Sequence, residues 1–243
     1  MLKYKQILKN IKEINQNSRH DNLILAAGMY YDNVSKTLFQ YPNFKTTLDS
    51  DQLDYFRYRE LELIAYELKR KKISGQMAEI GVYRGDFSKN MNQLFPDKKL
   101  YLFDTFSGFE TTDIIWEKNN NLVEDGFLTI IDEYQNTSID IVMNQMKYPK
   151  QCIIKSGYFP NSLNGLEENF CLVSIDVDLY LPTINALKYF YPRLEKNGYI
   201  LLHDYNHDEL SGVKQAIWDY EKLVDNLIIL PIADQCGTLI ITK

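Results

Sequence analysis

The sequence contains few cysteines, and none of them belongs to a paired motif. Cys152, Cys171 and Cys236 each lie singly within an apolar, strand-like run, and no C-x-x-C spacing occurs. Structural zinc centres and dithiol redox centres depend on closely spaced pairs, so this pattern argues against both. The three side chains are therefore predicted to be reduced residues of the hydrophobic core.

Long apolar runs and long basic runs are also missing. No stretch is apolar for the roughly 18 residues that a membrane helix needs, and the N-terminal M-L-K-Y-K-Q-I-L-K-N-I-K lacks the apolar segment of a secretory signal. The formal net charge is -6 without any basic cluster, which argues against a nucleic-acid partner. We expect a cytoplasmic protein with no membrane span.

What is present is enough apolar sequence for one sizeable core. The chain has 243 residues, of which 45% are hydrophobic and 25% charged. We interpret residues 53–243 as one domain and residues 1–52 as a helical or cap-like extension. Its first 17 residues have the apolar spacing of an amphipathic helix, and the aromatic-rich segment 20–50 is predicted to cover a site or to contact a second subunit. A homo-oligomer is therefore expected.

The domain alternates predicted strands and helices. Strands are predicted at Met77–Gly81, Lys99–Asp104, Cys152–Lys155, Cys171–Asp176 and Tyr199–Leu202, and helices at Leu53–Lys72, Gly85–Leu94, Ser138–Met146, Thr183–Leu194 and Gly212–Val224. The last apolar runs predict an antiparallel hairpin that turns at residues 233–237. This order predicts an α/β fold of the class I methyltransferase type: a Rossmann-like, mostly parallel sheet of seven strands with helices on both faces and an antiparallel C-terminal hairpin.

Polar side chains follow two of the predicted parallel strands, at the point where each strand ends. Asp176 and Asp178 follow C-L-V-S-I, and His203 and Asp204 follow Y-I-L-L. The carboxyl ends of neighbouring parallel strands meet at one edge of a sheet, where open α/β sheets hold their ligands. Oxygen and nitrogen donors there predict a divalent cation site.

A glycine turn follows the first strand of the domain in E-I-G-V-Y-R-G. Gly81 and Gly85 allow a tight turn and a close approach of a ligand to the following helix N-terminus. The spacing differs from G-x-G-x-x-G, and Glu79 would repel a pyrophosphate but could receive an ammonium group. Asp104, at the tip of the next strand, is placed to accept ribose hydroxyls. An amino acid joined to a ribose describes S-adenosylmethionine.

Five motifs, taken together in order and spacing, resemble the TylF-type macrocin O-methyltransferases. They are E-I-G-V-Y-R-G, L-Y-L-F-D-T-F-S-G-F, K-S-G-Y-F-P-N-S-L, S-I-D-V-D-L-Y-L-P-T and G-Y-I-L-L-H-D-Y, and the likeness covers roughly residues 76–224. The resemblance implies transfer of a methyl group from S-adenosylmethionine to a sugar hydroxyl. It also implies the residues around the cofactor: Glu79, Gly81, Tyr83 and Ser88 at the methionine end, Asp104 at the ribose, and Ser107, Gly157, Tyr158 and Phe159 around the adenine.

The resemblance further implies a divalent metal held by Asp176, His203 and Asp204. His203 stands where the family usually has an aspartate, and this lowers the negative charge of the site. Preference should then move from magnesium toward manganese or iron(II). A catalytic histidine that some relatives carry in the lid has no counterpart, because no histidine occurs between His20 and His203. The polar segment 111–137 is predicted to be the lid, with an ordinary surface loop as the alternative.

Asp176 is the predicted general base, since it lies between the cofactor and the metal, and His203 is the rival if it does not bind the metal. The acceptor is predicted to be a nucleotide-activated hexose or heptose for surface polysaccharide. A sugar on a glycosylated natural product is the alternative. A nicotinamide-dependent sugar oxidoreductase is disfavoured because this sequence lacks a suitable Y-x-x-x-K pair. Tyr41 and Lys45 have the spacing, but Pro42 lies between them. A catalytically inactive scaffold protein is also disfavoured, because it would not need the three polar groups of Asp176, His203 and Asp204, which are costly to bury at one sheet edge.

Overall fold

A computed structural model describes residues 23–25, 29–32, 37–40, 55–234 and 236–243 of the chain. Its contacts divide the chain into residues 1–55 and residues 56–243. In the first unit, β1 (Leu23–Leu25), β2 (Met29–Asp32) and β3 (Thr37–Gln40) form an antiparallel three-stranded sheet in that order. The sequence did not predict these strands, and the helix predicted over the first 17 residues lies outside the described residues.

The second unit is built on a seven-stranded sheet. Its strands are β4 (Gln76–Ile80), β5 (Leu100–Asp104), β6 (Cys152–Ser156), β7 (Phe170–Ile175), β8 (Leu194–Leu202), β9 (Ile228–Pro231) and β10 (Leu239–Thr242). They are ordered β6-β5-β4-β7-β8-β10-β9. Strands β4 to β8 pair in parallel, and β10 runs antiparallel to both of its neighbours. The predicted class I methyltransferase fold, with its C-terminal hairpin, is confirmed.

Seven α-helices are described in this unit. They are α1 (Tyr55–Arg70), α2 (Asp86–Leu94), α3 (Thr111–Asn119), α4 (Asp125–Ile130), α5 (Ile139–Gln145), α6 (Tyr180–Phe190) and α7 (Ser211–Glu221). Short 3-10 turns occupy Ile131–Gln135, Pro149–Gln151 and Asn161–Leu163. None of the helices described in the chain is long and apolar enough to cross a membrane.

The core explains why β7 is almost entirely apolar. All six residues of β7 are buried, and an alternating pattern is absent because helices cover both faces of a parallel sheet. Aromatic rings from the sheet and from α6 pack together, with Phe103, Phe170 and Phe190 in edge-on contacts. This rigid layer fixes the positions of the strand ends, where the polar residues lie.

The three cysteines do not all lie in the core. Cys171 is buried in β7, as predicted, and Cys152 is half-buried at the start of β6. Cys236 is half-buried in the turn between β9 and β10 and lines the large cavity described below. The sequence analysis counted Cys236 as a core residue in an apolar run, although the hairpin turn predicted at residues 233–237 already contained it.

Candidate active site

The strand ends meet as the sequence predicted. The backbone N–H of Asp176 donates to the carbonyl of Ile80 at 2.8 Å, and the N–H of His203 donates to the carbonyl of Ile175 at 2.9 Å. The parallel ladder thus continues one residue beyond β7 and β8. Asp176 and His203 therefore leave the sheet side by side, next to the end of β4.

Two further aspartates reach the same point through unusual backbone conformations. Asp178 and Asp204 have φ angles of 60° and 59°, in the left-handed region that asparagine and aspartate tolerate best among residues other than glycine. One oxygen from each of Asp176, Asp178 and Asp204 lies within 4.8 Å of the other two. The metal ligands implied by the family resemblance did not include Asp178, whereas the structure brings its carboxylate into the cluster.

The cluster crowds negative charge. Burial, together with Asp204 and Asp176, raises the pKa of Asp178 well above its ordinary value. Carboxylate oxygens at this spacing are the donors that magnesium, calcium and manganese take. The chemistry of the donor set therefore fits a divalent cation, which would relieve the repulsion.

Asp176 is held by two cationic side chains. Arg57 donates from Nη2 to one carboxylate oxygen at 2.9 Å, and Nδ1 of His203 lies 3.1 Å from the other. Burial alone would raise the pKa of Asp176, but His203 and Arg57 outweigh burial and hold it well below its ordinary value. Asp176 is therefore an ionised carboxylate despite its position.

His203 lies between two carboxylates. Its Nδ1 is 2.8 Å from an oxygen of Asp204 as well as 3.1 Å from Asp176. Burial lowers the pKa of the imidazole, but the charge of Asp176 outweighs this and raises it well above the ordinary value. In this arrangement the ring is an imidazolium that donates from Nδ1, and metal binding through that atom would have to displace the proton.

Arg57 is a site residue that the sequence analysis missed. It lies in α1, 8% exposed, with its guanidinium 4.2 Å from the centre of the Phe87 ring. The signal was its spacing: Leu61, Ile64 and Leu68 follow at steps of four, three and four residues, and all three are buried. An arginine on the buried face of an amphipathic helix needs an anion nearby, and the half-buried Asp176 is such an anion.

Glu79 in β4 is buried, with 1% of its surface exposed, and it accepts a hydrogen bond from the hydroxyl of Ser88 in α2. Burial raises the pKa of Glu79 to about 8, although Ser88 opposes the shift. The side chain is thus largely neutral at neutral pH. Ser88 itself is fully buried and acts through Glu79.

A pH dependence of stability follows from Glu79. The folded pKa of about 8 exceeds the unfolded value of 4.5, so ionisation favours the unfolded chain. As pH rises from about 5 to 8, Glu79 should remove about 3 to 5 kcal/mol from the free energy of unfolding. Glu79→Gln should abolish this loss, as measured by urea denaturation from pH 5 to 9. Glu221→Gln, an exposed position, is the matched control. Parallel pH profiles for wild type and Glu79→Gln would contradict the assignment.

Asp104 organises two loops. Its Oδ2 accepts hydrogen bonds from the backbone N–H groups of Val82 and Tyr83 at 2.7 and 2.8 Å, and its Oδ1 accepts one from Phe106 at 2.7 Å. A carboxylate offers about four acceptor positions, so one remains on Oδ1. The sequence predicted that Asp104 accepts both ribose hydroxyls, and the structure leaves room for one such bond.

A cavity of about 550 Å³ joins these groups, which is within the range of small-molecule sites. Most residues predicted for the cofactor and the metal line it: Glu79, Gly81, Tyr83, Asp104, Gly157, Tyr158, Phe159, Asp176, His203 and Asp204. Three predicted cofactor residues lie outside the lining. Ser88 is behind Glu79, Gly85 packs toward Val142 and Met146 of the α5 region, and Ser107 is exposed.

The segment 111–137, predicted as a lid or a surface loop, is mostly helical. It contains α3, α4 and the turn Ile131–Gln135, and its residues Asp113, Phe127, Ile130, Glu133 and Tyr134 line the cavity. Trp116 stacks on Tyr180 with ring centres 4.3 Å apart, and Tyr158 donates to Asp113 at 2.9 Å. These contacts attach the segment to the loop after β6 and to the start of α6. Its movement as a lid stays a prediction.

Comparisons with known proteins agree with this geometry. A family model described as Macrocin-O-methyltransferase (TylF) matches residues 9–235. The solved O-methyltransferase NovP has a TM-score of 0.62 and 17% identity, covering 78% of this chain and 80% of that chain. CalS11, a calicheamicin methyltransferase, has a TM-score of 0.53 and 18% identity, covering 76% and 80%. At such identities the two structures establish a shared fold. No curated protein matches the chain significantly.

Proposed function

Because the chain belongs to the TylF family of macrocin O-methyltransferases, we propose that it transfers a methyl group from S-adenosylmethionine to a hydroxyl of a nucleotide-activated hexose or heptose. The product would serve surface polysaccharide synthesis. The observation that carries the transfer is the ionised Asp176 beside the glycine turn at Gly81, within one cavity. The nucleotide-linked acceptor is supported by a second CalS11 structure, described as TDP-rhamnose 3'-O-methyltransferase, with a TM-score of 0.50.

The cofactor would lie along the ends of β4 and β5. The turn at Gly81 lets the backbone approach the ligand, and Glu79 faces the position of the methionyl ammonium group. Bringing that cation to Glu79 would favour the ionised carboxylate, so binding is expected to release a proton from Glu79. The remaining acceptor position on Asp104 would take one ribose hydroxyl, and the loop of Gly157, Tyr158 and Phe159 would border the adenine.

The acceptor hydroxyl must lose a proton as it attacks, because an alcohol is a weak nucleophile at neutral pH. Asp176 would accept that proton. Arg57 and His203 keep it ionised, but the lowered pKa that they cause makes it a weak base, so the step would also depend on stabilisation of the developing alkoxide by a bound cation. Its place at the end of β7, between β4 and β8, would put the base next to both the cofactor and the cluster, so that the hydroxyl could be aligned with the methyl group.

A divalent cation would be held by Asp176 and Asp204, with Asp178 or His203 completing the set. When bound, it supplies Lewis-acid stabilisation of the developing alkoxide. The sequence predicted His203 as the third ligand. The left-handed backbone of Asp178 and the spacing of its carboxylate oxygens favour Asp178, which would leave His203 as a charged hydrogen-bond donor to Asp176.

A release assay for S-adenosylhomocysteine tests this function. The full-length protein is incubated with nucleotide-linked hexoses and heptoses, after exhaustive chelation and after adding back manganese or magnesium. We expect turnover on a nucleotide sugar that chelation abolishes and that magnesium or manganese restores. If His203 rather than Asp178 is the third ligand, manganese should restore at least as much activity as magnesium. Full activity after chelation would contradict the metal role. Turnover on macrolide glycosides alone would move the acceptor to a natural product, which the description of the family favours.

A further inference from the structure

A second group of potential metal ligands overlaps the carboxylate cluster. One donor atom from each of His203, Asp204 and Cys236 lies within 4.8 Å of the other two. This set offers nitrogen, oxygen and sulfur, whereas the cluster of Asp176, Asp178 and Asp204 offers oxygen only. The two sets share Asp204.

The fold brings Cys236 to this place through the C-terminal hairpin. The N–H of Asn206, in the loop after β8, donates to the carbonyl of Cys236 at 3.3 Å. The neighbouring Gly237 has a φ of 70°, and a side chain there would collide with Asn206. On the other side, the N–H of Thr238 donates to Asp234 at 2.6 Å. The hairpin turn is thus tied both to itself and to the loop that carries Asp204.

Thiolate and imidazole donors select different ions from carboxylates. Sulfur and nitrogen favour zinc and similar borderline ions, whereas oxygen clusters suit magnesium, calcium and manganese. Zinc is bound at about 2.0 to 2.3 Å from its ligands, which places tetrahedral ligands roughly 3.3 to 3.7 Å apart. The three ligand atoms lie within 4.8 Å of one another, so an ion that binds them has to draw them closer by up to about 1.5 Å. Three protein ligands also leave a fourth position open to water, as in catalytic zinc sites.

We propose that His203, Asp204 and Cys236 form a second cation site, selective for thiophilic divalent ions such as zinc. Because this site takes Asp204 from the carboxylate cluster, zinc at this site competes with the cation of the methyl transfer reaction. The proposed zinc binding is argued from the donor atoms alone. Only the proposed competition rests on the proposed methyltransferase function. On binding, the thiol proton of Cys236 and one ring proton of the His203 imidazolium are released to solvent.

Cobalt(II) is the probe for the binding, because a thiolate ligand produces an intense near-ultraviolet charge-transfer band. The metal-free, full-length protein is titrated with cobalt chloride. We expect the band in the wild type and in Cys152→Ser, and its loss in Cys236→Ser. Cys152 is a matched control because it is also half-buried but contacts Asn92, away from the cluster. A wild type without the band, or a band that survives in Cys236→Ser, would overturn the site.

A second measurement uses the wild-type protein, so it tests the site even if Cys236→Ser fails to fold. The wild type is treated with iodoacetamide with and without zinc, and alkylation of each cysteine is quantified by peptide mass spectrometry. Zinc should protect Cys236 at least tenfold and leave Cys152 unchanged. Equal labelling of Cys236 in both conditions would count against the proposal.

The competition is measured separately. Methyl transfer is assayed with manganese at increasing zinc, and each protein is normalised to its own rate without zinc. We expect the zinc concentration for half-inhibition to rise at least tenfold in Cys236→Ser. An unchanged inhibition curve would remove the competition even if the cobalt band is present. If no acceptor supports turnover, the cobalt spectrum still tests whether the cation site exists. The proposed cation site and the proposed methyltransferase function can therefore fail independently.

Discussion

Asp176→Asn is expected to lower the kcat of methyl transfer by about 10³- to 10⁴-fold, at the upper end of what a general base contributes. The substitution keeps the shape of the side chain and removes its charge. It thereby removes the proton acceptor, the ionic partner of Arg57 and one negative charge of the carboxylate cluster. The amide oxygen can still accept from Arg57, so the fold should be retained.

Kinetics and circular dichroism check this result together. Asp225→Asn makes the same chemical change at an exposed position and should leave kcat within about twofold of the wild type. An Asp176→Asn protein that is folded and turns over at near wild-type rate would remove Asp176 from the mechanism. Binding of S-adenosylmethionine, measured by calorimetry, separates lost chemistry from lost cofactor.

Gly81→Ala is expected to lower the free energy of unfolding by about 2 to 5 kcal/mol. Gly81 has a φ of 82°, which costs a residue with a side chain about 1 to 2 kcal/mol. An added methyl group would also overlap the backbone carbonyl of Asp176 and meet Val177 at 3.2 Å. Relieving such overpacking costs about 1 to 3 kcal/mol more. Since the clash displaces the backbone of Asp176, the substitution should also weaken cofactor binding and lower the rate of methyl transfer.

Gly165→Ala separates the two contributions. Gly165 has a φ of 70°, but an added methyl group would meet nothing within 4 Å. This variant should lose only the conformational part, about 1 to 2 kcal/mol. Urea denaturation of both proteins measures the difference. If both variants lost the same free energy of unfolding, the steric clash with Asp176 would contribute nothing to the effect of Gly81→Ala.

Much of the fold could be predicted because its signals are local. The apolar run of β7 is typical of a strand buried on both faces, and the hairpin of β9 and β10 follows from two short apolar runs around a turn. Helix ends were also readable: Ser138 was predicted as the start of α5, and its hydroxyl accepts from the N–H of Ile141 at 3.2 Å. The strands β1 to β3 were missed because aromatic and asparagine residues there show no clear period.

The site was predictable only in part, for a physical reason. Asp176, His203 and Asp204 directly follow strands, so the parallel sheet brings them together without further information. Arg57 and Cys236 reach the same cavity from α1 and from the hairpin turn, elements that lie far from the cluster in sequence. No local pattern states where a helix face or a turn will dock.

The sequence by itself determined the order of strands and helices, the glycine turn, the acidic strand ends and the family likeness, because each depends on residues close together in the chain. Only the tertiary structure decided which groups form ion pairs and hydrogen bonds with one another. The partners of Asp176, the carboxylate of Asp178 at the cluster and the three backbone donors to Asp104 arise from contacts across the sheet edge. Electrostatic interactions in a buried site depend on distances between remote segments, and packing alone sets those distances.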